Sequence, residues 1–97
     1  MEYVQQGDVI LKKIEKLPEN TNSIQGNLIH KGYSHSHTIQ GDFELVESGN
    51  DFFVIAKNNC QVVHEEHKPI VLESGIYHKV IVSEYDHFLE ESREVVD

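Results

Sequence analysis

The sequence predicts an all-β domain, either a small β-barrel or a two-sheet sandwich, with one short helix near the C-terminus. Short β-branched and aromatic segments recur about every ten residues, and Gly, Asn and Ser residues separate them. Roughly seven to nine such segments are typical of barrels and sandwiches. A chain of 97 residues supports one core, so we expect residues 1–97 to form a single β-rich domain.

The predicted strands follow one another with short turns between them. Gly7-Asp8 begins the first strong strand, Glu19–Gln25 is polar enough to be a loop, and Ser48–Asp51 is a turn cluster. Asn58-Asn59 lies between two β-branched runs and predicts a two-residue hairpin turn, because Asn tolerates positive φ. Only Tyr85–Val96 has the apolar side of a helix. The predicted strands are Val9–Ile14, Asn27–His30, Ser34–Gln40, Asp42–Glu47, Phe52–Lys57, Cys60–His64, Pro69–Leu72 and Ile76–Val82.

Composition excludes several functions. The chain has 17 acidic and 8 basic residues, a formal charge of -9, and no basic cluster that would neutralise a duplex nucleic acid. Binding of a single nucleotide in a local pocket is still compatible with this composition. The one cysteine, Cys60, cannot form an intramolecular disulfide, and we expect it to pack as a small hydrophobe. The N-terminus has no signal-peptide pattern and no segment is apolar enough to span a membrane, so we expect a cytoplasmic protein.

Seven histidines make up the most informative feature of the sequence. Two of them, His35 and His37, lie in Gly32–Thr38. Residues two apart on an extended strand point to the same face, so both imidazoles can reach one ion. Nitrogen ligands at this separation suit zinc, iron, nickel or manganese. The pair therefore predicts half of a metal site, although His-x-His also arises by chance.

The second half of the site is expected in His64–Pro69. On a regular strand His64 and Glu66 share one face, and His67 lies on the other. Pro69 ends regular pairing nearby, so His67 can turn to either side. We expect His35, His37, His64 and His67 as metal ligands, with Glu66 or Glu44 as a general base. The alternative for this segment is a solvated acidic turn.

Other residues are weaker candidates. His78 follows a turn and either adds a ligand or lies on the outer face, whereas His30 and His87 are expected on the surface. Tyrosines flank histidine positions and can stack on a ligand, although tyrosines are core-rim residues by default. The candidate ligand-contacting residues are Tyr33, Ser36, Tyr77 and Tyr85.

Several short motifs occur in one order along nearly the whole chain. They are Gln6-Gly7-Asp8-Val9, Gly32-Tyr33-Ser34-His35-Ser36-His37, Glu66-His67-Lys68-Pro69-Ile70, Ser74-Gly75-Ile76-Tyr77, Glu84-Tyr85-Asp86 and Arg93-Glu94-Val95-Val96-Asp97. This pattern resembles a small family of uncharacterised proteins from bacteria and their phages. The resemblance implies no activity. It implies a shared site of His35, His37, Glu66 and His67, which favours His67 over His64, and His78 departs from the family pattern.

The chain also resembles cupins, more weakly. Their first motif has His-x-His before a glutamate and a glycine, as His35, His37, Glu44 and Gly49 stand here. Their second motif has a Pro-x-Gly turn before a histidine, and Ser74–His78 lacks the proline. Cupin resemblance implies a jelly-roll barrel with a metal ion at its mouth.

Three functions compete at this point. The first is a metal-binding β-barrel, acting as a hydrolase or lyase on a small anionic substrate, in which the ion activates water or polarises an oxygen. The second is a non-catalytic phage or prophage protein that sequesters a nucleotide signal such as a cyclic dinucleotide and so counteracts host defence. Binders of that kind often hold ligands between subunits, so this second function predicts a homo-oligomer. The third is a structural or adaptor domain with incidental histidines.

Overall fold

The computed structural model describes residues 2–32 and 35–82. Every regular element in these ranges is a β-strand, which confirms the all-β prediction. The helix predicted in Tyr85–Val96 lies outside the described residues. The strands are β1 (Tyr3–Gln6), β2 (Val9–Ile14), β3 (Asn22–Ile24), β4 (Leu28–Lys31), β5 (Ser36–Ser48), β6 (Asp51–Val63), β7 (Ile70–Leu72) and β8 (Gly75–Ile81). Of these, β3 lies inside a segment predicted to be a loop.

No helix in the described part of the chain is long and apolar enough to cross a membrane.

The eight strands form one open antiparallel sheet. Its order is β1-β2-β8-β6-β5-β3, and β4 pairs with β5 while β7 pairs with β6. The centre is a long hairpin of β5 and β6, joined by Gly49-Asn50 with Ser48 opposite Asp51. Gly49 has a φ of +60°, the conformation that a two-residue hairpin turn with Gly in first place requires. The turn predicted at Ser48–Asp51 is therefore confirmed.

Both long strands bend at the same place. The β5–β6 register shifts on both sides of Asp42, next to Gly41, which has a φ of +113°. Opposite them Asn59 has a φ of +53°, the one non-Gly residue with positive φ in the described ranges. The hairpin turn predicted at Asn58-Asn59 is wrong, because β6 continues through these residues as a bulged strand. Asn59 does adopt the predicted positive φ, and it uses that conformation to bend the strand.

The bend divides the sheet into two parts. The large half-sheet holds β1, β2, β8 and β3 beside residues 42–58 of the long hairpin, and the small half-sheet holds β4 and β7 beside residues 36–40 and 60–63. The two halves fold over a single core. That core consists of Val9, Leu11, Ile29, Ile39, Leu45, Val54, Ala56, Cys60, Val62, Leu72 and Tyr77. Cys60 is buried in it as expected, and the fold is an open, bent sheet rather than a closed barrel.

Two polar contacts hold the ends of the half-sheets together. The buried Gln6 at the end of β1 donates from Nε2 to the carbonyl oxygens of Val62 and Lys68. On the other side Lys79 donates to the Ile29 carbonyl at 3.0 Å, and its ammonium group lies over the Phe52 ring. Burial lowers the pKa of Lys79. Because Gln6 joins β1 to the end of β6, the turn after β1 lies against the segment that follows β6.

Candidate functional site

Three separate segments meet at one end of the small half-sheet. They are the Gly7-Asp8 turn between β1 and β2, the start of β5, and the loop that follows β6. Together they line an open cleft of about 300 Å³. Its lining residues are Gly7, Asp8, Gly32, His35, His37, His64, Glu66 and His67. The two histidine-containing segments, predicted to contribute to one site, therefore lie side by side.

His64 occupies the middle of the cluster. Its ring centre lies 4.3 Å from that of His37, 4.6 Å from that of His67 and 5.7 Å from that of His35. The rings of His37 and His67 are almost parallel and 6.2 Å apart. All four predicted ligand residues thus belong to one continuous group of imidazoles.

His37 is the buried member of the group. Its exposed fraction is only 2 %, and its Nδ1 lies 2.8 Å from the side-chain oxygen of Gln6. Burial, followed by the proximity of His64, lowers the pKa of His37 from its usual 6.5 to about 4, against the opposing effect of the Asp8 carboxylate. A group with this pKa is neutral at pH 7, and neutral imidazole is the form that binds metals.

Carboxylates surround the exposed side of the imidazoles. His35 contacts Glu65 through Nδ1 and Glu66 through Nε2, the latter at 3.1 Å. The Nε2 atom of His37 lies 3.7 Å from an oxygen of Asp8. Among residues 2–32 and 35–82, no lysine or arginine lines the cleft. Besides its histidines, the titratable side chains that line the cleft in the described residues are the carboxylic acids Asp8 and Glu66.

The structure leaves three predicted residues outside the cleft. Glu44 is seven residues from His37 along β5, roughly 20 Å in an extended strand, and its carboxylate contacts Ser23 and Lys57. It is therefore not placed to act as a base at the histidines. Tyr77 is buried in the core and donates its hydroxyl to the Glu73 carbonyl at 2.8 Å.

His78 is the third of these residues. It stacks on Phe53 and contacts Asp51 at 3.2 Å on the large half-sheet, so it lies on the outer face, one of its two expected positions. The cupin resemblance would group His35, His37, Glu44 and His78, and this grouping is not formed because the last two lie beyond the bend.

The remaining candidates divide into two sets. Ser36 lies beside the cluster and lines a neighbouring cleft of about 500 Å³ together with Thr38, Val63 and Glu65. His35 and His64 line both clefts. Tyr33 and Tyr85 lie outside the described residues. Of the two predicted ligand-contacting residues that the structure describes, Ser36 and Tyr77, it is Ser36 that lies beside the histidines.

Sequence reasoning missed three residues of the site. His30 was expected on the surface, but it pairs directly with His37 across β4 and β5, with ring centres 6.1 Å apart. Gln6 and Asp8 come from the N-terminal hairpin, and no local pattern links them to histidines 30 or 60 positions away. The available signal was the motif Gln6-Gly7-Asp8-Val9, one of those that carry the family resemblance.

No three His, Cys, Asp or Glu side chains in residues 2–32 and 35–82 already converge on a point as ligands of one metal ion do. The set of His35, His37, His64 and His67 stays a prediction.

Comparison with protein families identifies the family of this chain. The model of a family described as a domain of unknown function (DUF8820) matches residues 5–82. The chain belongs to this family. The DUF8820 match includes every described residue that lines the histidine cleft, from the Gly7-Asp8 turn to His67. It agrees with the expected membership of an uncharacterised family. No curated protein and no solved structure matches the chain significantly.

Proposed function

We propose that the histidine cleft of this DUF8820 domain binds a divalent transition-metal ion such as zinc, iron, nickel or manganese. The observation that carries the proposal is the buried, neutral imidazole of His37 beside further histidines and carboxylates. Neutral imidazole and carboxylate are the ligands that these ions take in proteins. His37 is the fixed ligand, and His67 and His35 are the partners that lie at the solvent side.

Ring spacing supports this proposal. Two imidazoles that bind one ion at about 2.1 Å have ring centres roughly 5 Å apart. The ring centres of His37 and His67 are 6.2 Å apart, slightly more than that value. His67 is exposed and follows the end of β6, so rotation of its side chain requires no change in the sheet. An ion at His37 would recruit the exposed His67 by such a rotation.

The charge of the cleft favours a cation over an anionic nucleotide. Asp8, Glu65 and Glu66 lie beside the imidazoles, and each would repel a phosphate group. A ligand with two or more phosphates would have to displace or neutralise these carboxylates. A metal ion instead gains from them. The nucleotide-binding alternative therefore needs a different part of the molecule or a metal ion as a bridge.

A hydrolase or lyase activity is a further part of this proposal. A bound ion supplies a polarised oxygen or an activated water. Glu66 lines the same cleft and, unlike Glu44, remains a candidate general base.

Metal binding can be tested on protein stripped of metal by dialysis. We expect isothermal titration with Zn²⁺ at pH 7.5 to give one site per chain, and Co²⁺ to give the visible absorption of a low-coordinate nitrogen-ligated ion. His37→Gln should reduce the Zn²⁺ affinity at least tenfold. His78→Gln is the matched control, because it removes a histidine outside the cleft and should leave the affinity unchanged.

Two other results of these titrations would contradict the metal-binding proposal. Absence of Zn²⁺, Co²⁺, Ni²⁺ and Mn²⁺ binding, or binding that His37→Gln and His78→Gln weaken equally, would overturn the proposal. The same titration with a cyclic dinucleotide tests the alternative directly. Binding of the nucleotide to metal-free protein would contradict the charge argument.

A further inference from the structure

The side-chain amide of Gln6 has only one orientation that satisfies its surroundings. Its nitrogen faces two backbone carbonyl oxygens, those of Val62 at 3.1 Å and Lys68 at 2.9 Å. Carbonyl oxygens accept hydrogen bonds and never donate, so the atom facing them must be the NH₂ group. The amide oxygen is then the atom 2.8 Å from Nδ1 of His37. That oxygen can only accept, which means that Nδ1 of His37 carries the proton.

Neutral imidazole has one protonated nitrogen, so the Nε2 atom of His37 holds the lone pair. That atom is also the one on the Asp8 side, 3.7 Å from its carboxylate oxygen. His64 has the opposite arrangement. The backbone N–H of Glu66 donates to Nδ1 of His64 at 3.0 Å, so the proton of neutral His64 resides on Nε2.

We infer that Gln6 is a positioning residue that fixes His37 as a ligand through Nε2, and that His64 is held as a hydrogen-bond donor rather than a ligand. This inference rests on the proposed function for its consequence at the metal, but the two proton positions hold in metal-free protein as well. It narrows the four predicted ligands to His35, His37 and His67. The Nε2–H of His64 would serve an oxygen atom bound to the ion, either water or a carboxylate or phosphate oxygen.

The structure also explains why Gln is suited to this place. A carboxylate at position 6 would accept from His37 but could not donate to Val62 and Lys68, and an apolar side chain could do neither. Gln6 is 4 % exposed, so water cannot replace these contacts easily. Hydrogen bonds of this kind to metal-binding histidines commonly change metal affinity 10–100-fold.

The decisive measurement is a long-range ¹H–¹⁵N correlation spectrum of the histidine side chains in metal-free wild-type protein at pH 7.5. We expect His37 to be protonated at Nδ1 and unprotonated at Nε2, and His64 to have the reverse pattern. The same proton position on both residues, or rapid exchange between the two positions at His37, would overturn the inference. This spectrum needs no metal, so the inference is tested even if no ion binds.

Variants then connect the proton positions to the ion. His64→Gln, which keeps a side-chain N–H donor but has no ring nitrogen, should weaken Zn²⁺ binding much less than His37→Gln, which should abolish the site. Gln6→Leu should weaken Zn²⁺ binding 10–100-fold and mix the two proton positions of His37, with well-dispersed amide resonances as the check on folding.

If Gln6→Leu does not fold, the wild-type spectrum and the zinc affinity of His64→Gln still test the inference. A His64→Gln protein that loses zinc as completely as His37→Gln would refute the donor role. Correct proton positions in a wild-type protein that binds no zinc would instead refute the proposed function alone.

Discussion

Lowering the pH from 7.5 to 4 tests the environment of His37 without any ligand. The unfolded chain gives His37 an ordinary pKa of 6.5, and burial in the native cleft lowers this pKa to about 4. Between these values the unfolded state binds a proton that the native state does not. Stability from this group is therefore complete above pH 6.5, decreases as the pH falls, and changes no further below about 4.

The size of the effect follows from the same two pKa values. A difference of one pKa unit corresponds to about 1.36 kcal/mol, so the pKa difference at His37 is worth up to about 3 kcal/mol. This is a large fraction of the about 5–10 kcal/mol expected for a small domain. We therefore expect metal-free protein to become much easier to unfold between pH 6.5 and 4.

Urea unfolding of wild type and His37→Gln at several pH values isolates this contribution. Both proteins share the other acidic and histidine side chains, whose titration cancels to first approximation in the difference between the two free energies of unfolding. The free energy of unfolding of wild type minus that of His37→Gln should fall by up to about 3 kcal/mol as the pH falls from 7.5 to 4. A difference that stays constant with pH would refute the assignment of His37 as a buried neutral group. A side-chain NMR titration of His37 measures the pKa directly.

Further substitutions test the fold and the boundary of the site. Gly41→Ala should destabilise the protein by about 1–3 kcal/mol in urea unfolding, because a Cβ atom at a φ of +113° is strained and would overlap the Asn59 carbonyl. Wild-type stability in this variant would show that the bend is not required. Leu45→Ala should cost about 2–5 kcal/mol, since Leu45 is 1 % exposed in the core; a loss below 1 kcal/mol would contradict the packing. His78→Asn should change stability by less than about 1 kcal/mol, because its contact with Asp51 is exposed, and thermal melting checks this value.

Local sequence predicted most of the strands, because their β-branched residues and the intervening turns are short-range signals. The error at Asn58-Asn59 has a physical cause. Positive φ at an Asn serves a hairpin turn and a strand bulge equally well, and the residue that decides between them is Gly41, which lies on the opposite strand. Pairing of β5 with β6 through both segments buries Ile39 and Val62 together, and no local pattern contains that information.

The histidine site was predictable for a different reason and to a smaller extent. His35 and His37, like His64 and His67, are close in sequence, so spacing alone suggested two half-sites. The pairing of His30 with His37 depends on the hairpin of β4 and β5. Contributions from Gln6 and Asp8 depend on the fold of the whole sheet, and sequence spacing carries no signal for contacts of this separation.

The wide sequence separation within the cleft also affects when the cleft can form. Gln6 reaches Val62 and Lys68 across 56 and 62 residues, and β2 finds its second neighbour only when Val9 pairs with Ile81. Such distant contacts are expected to slow folding. During synthesis at about 5–20 residues per second, the N-terminal hairpin precedes β8 by several seconds. For that time β1 and β2 are a two-stranded hairpin, which is at best marginally stable on its own. The histidine cleft is therefore complete only when the last described strand has paired.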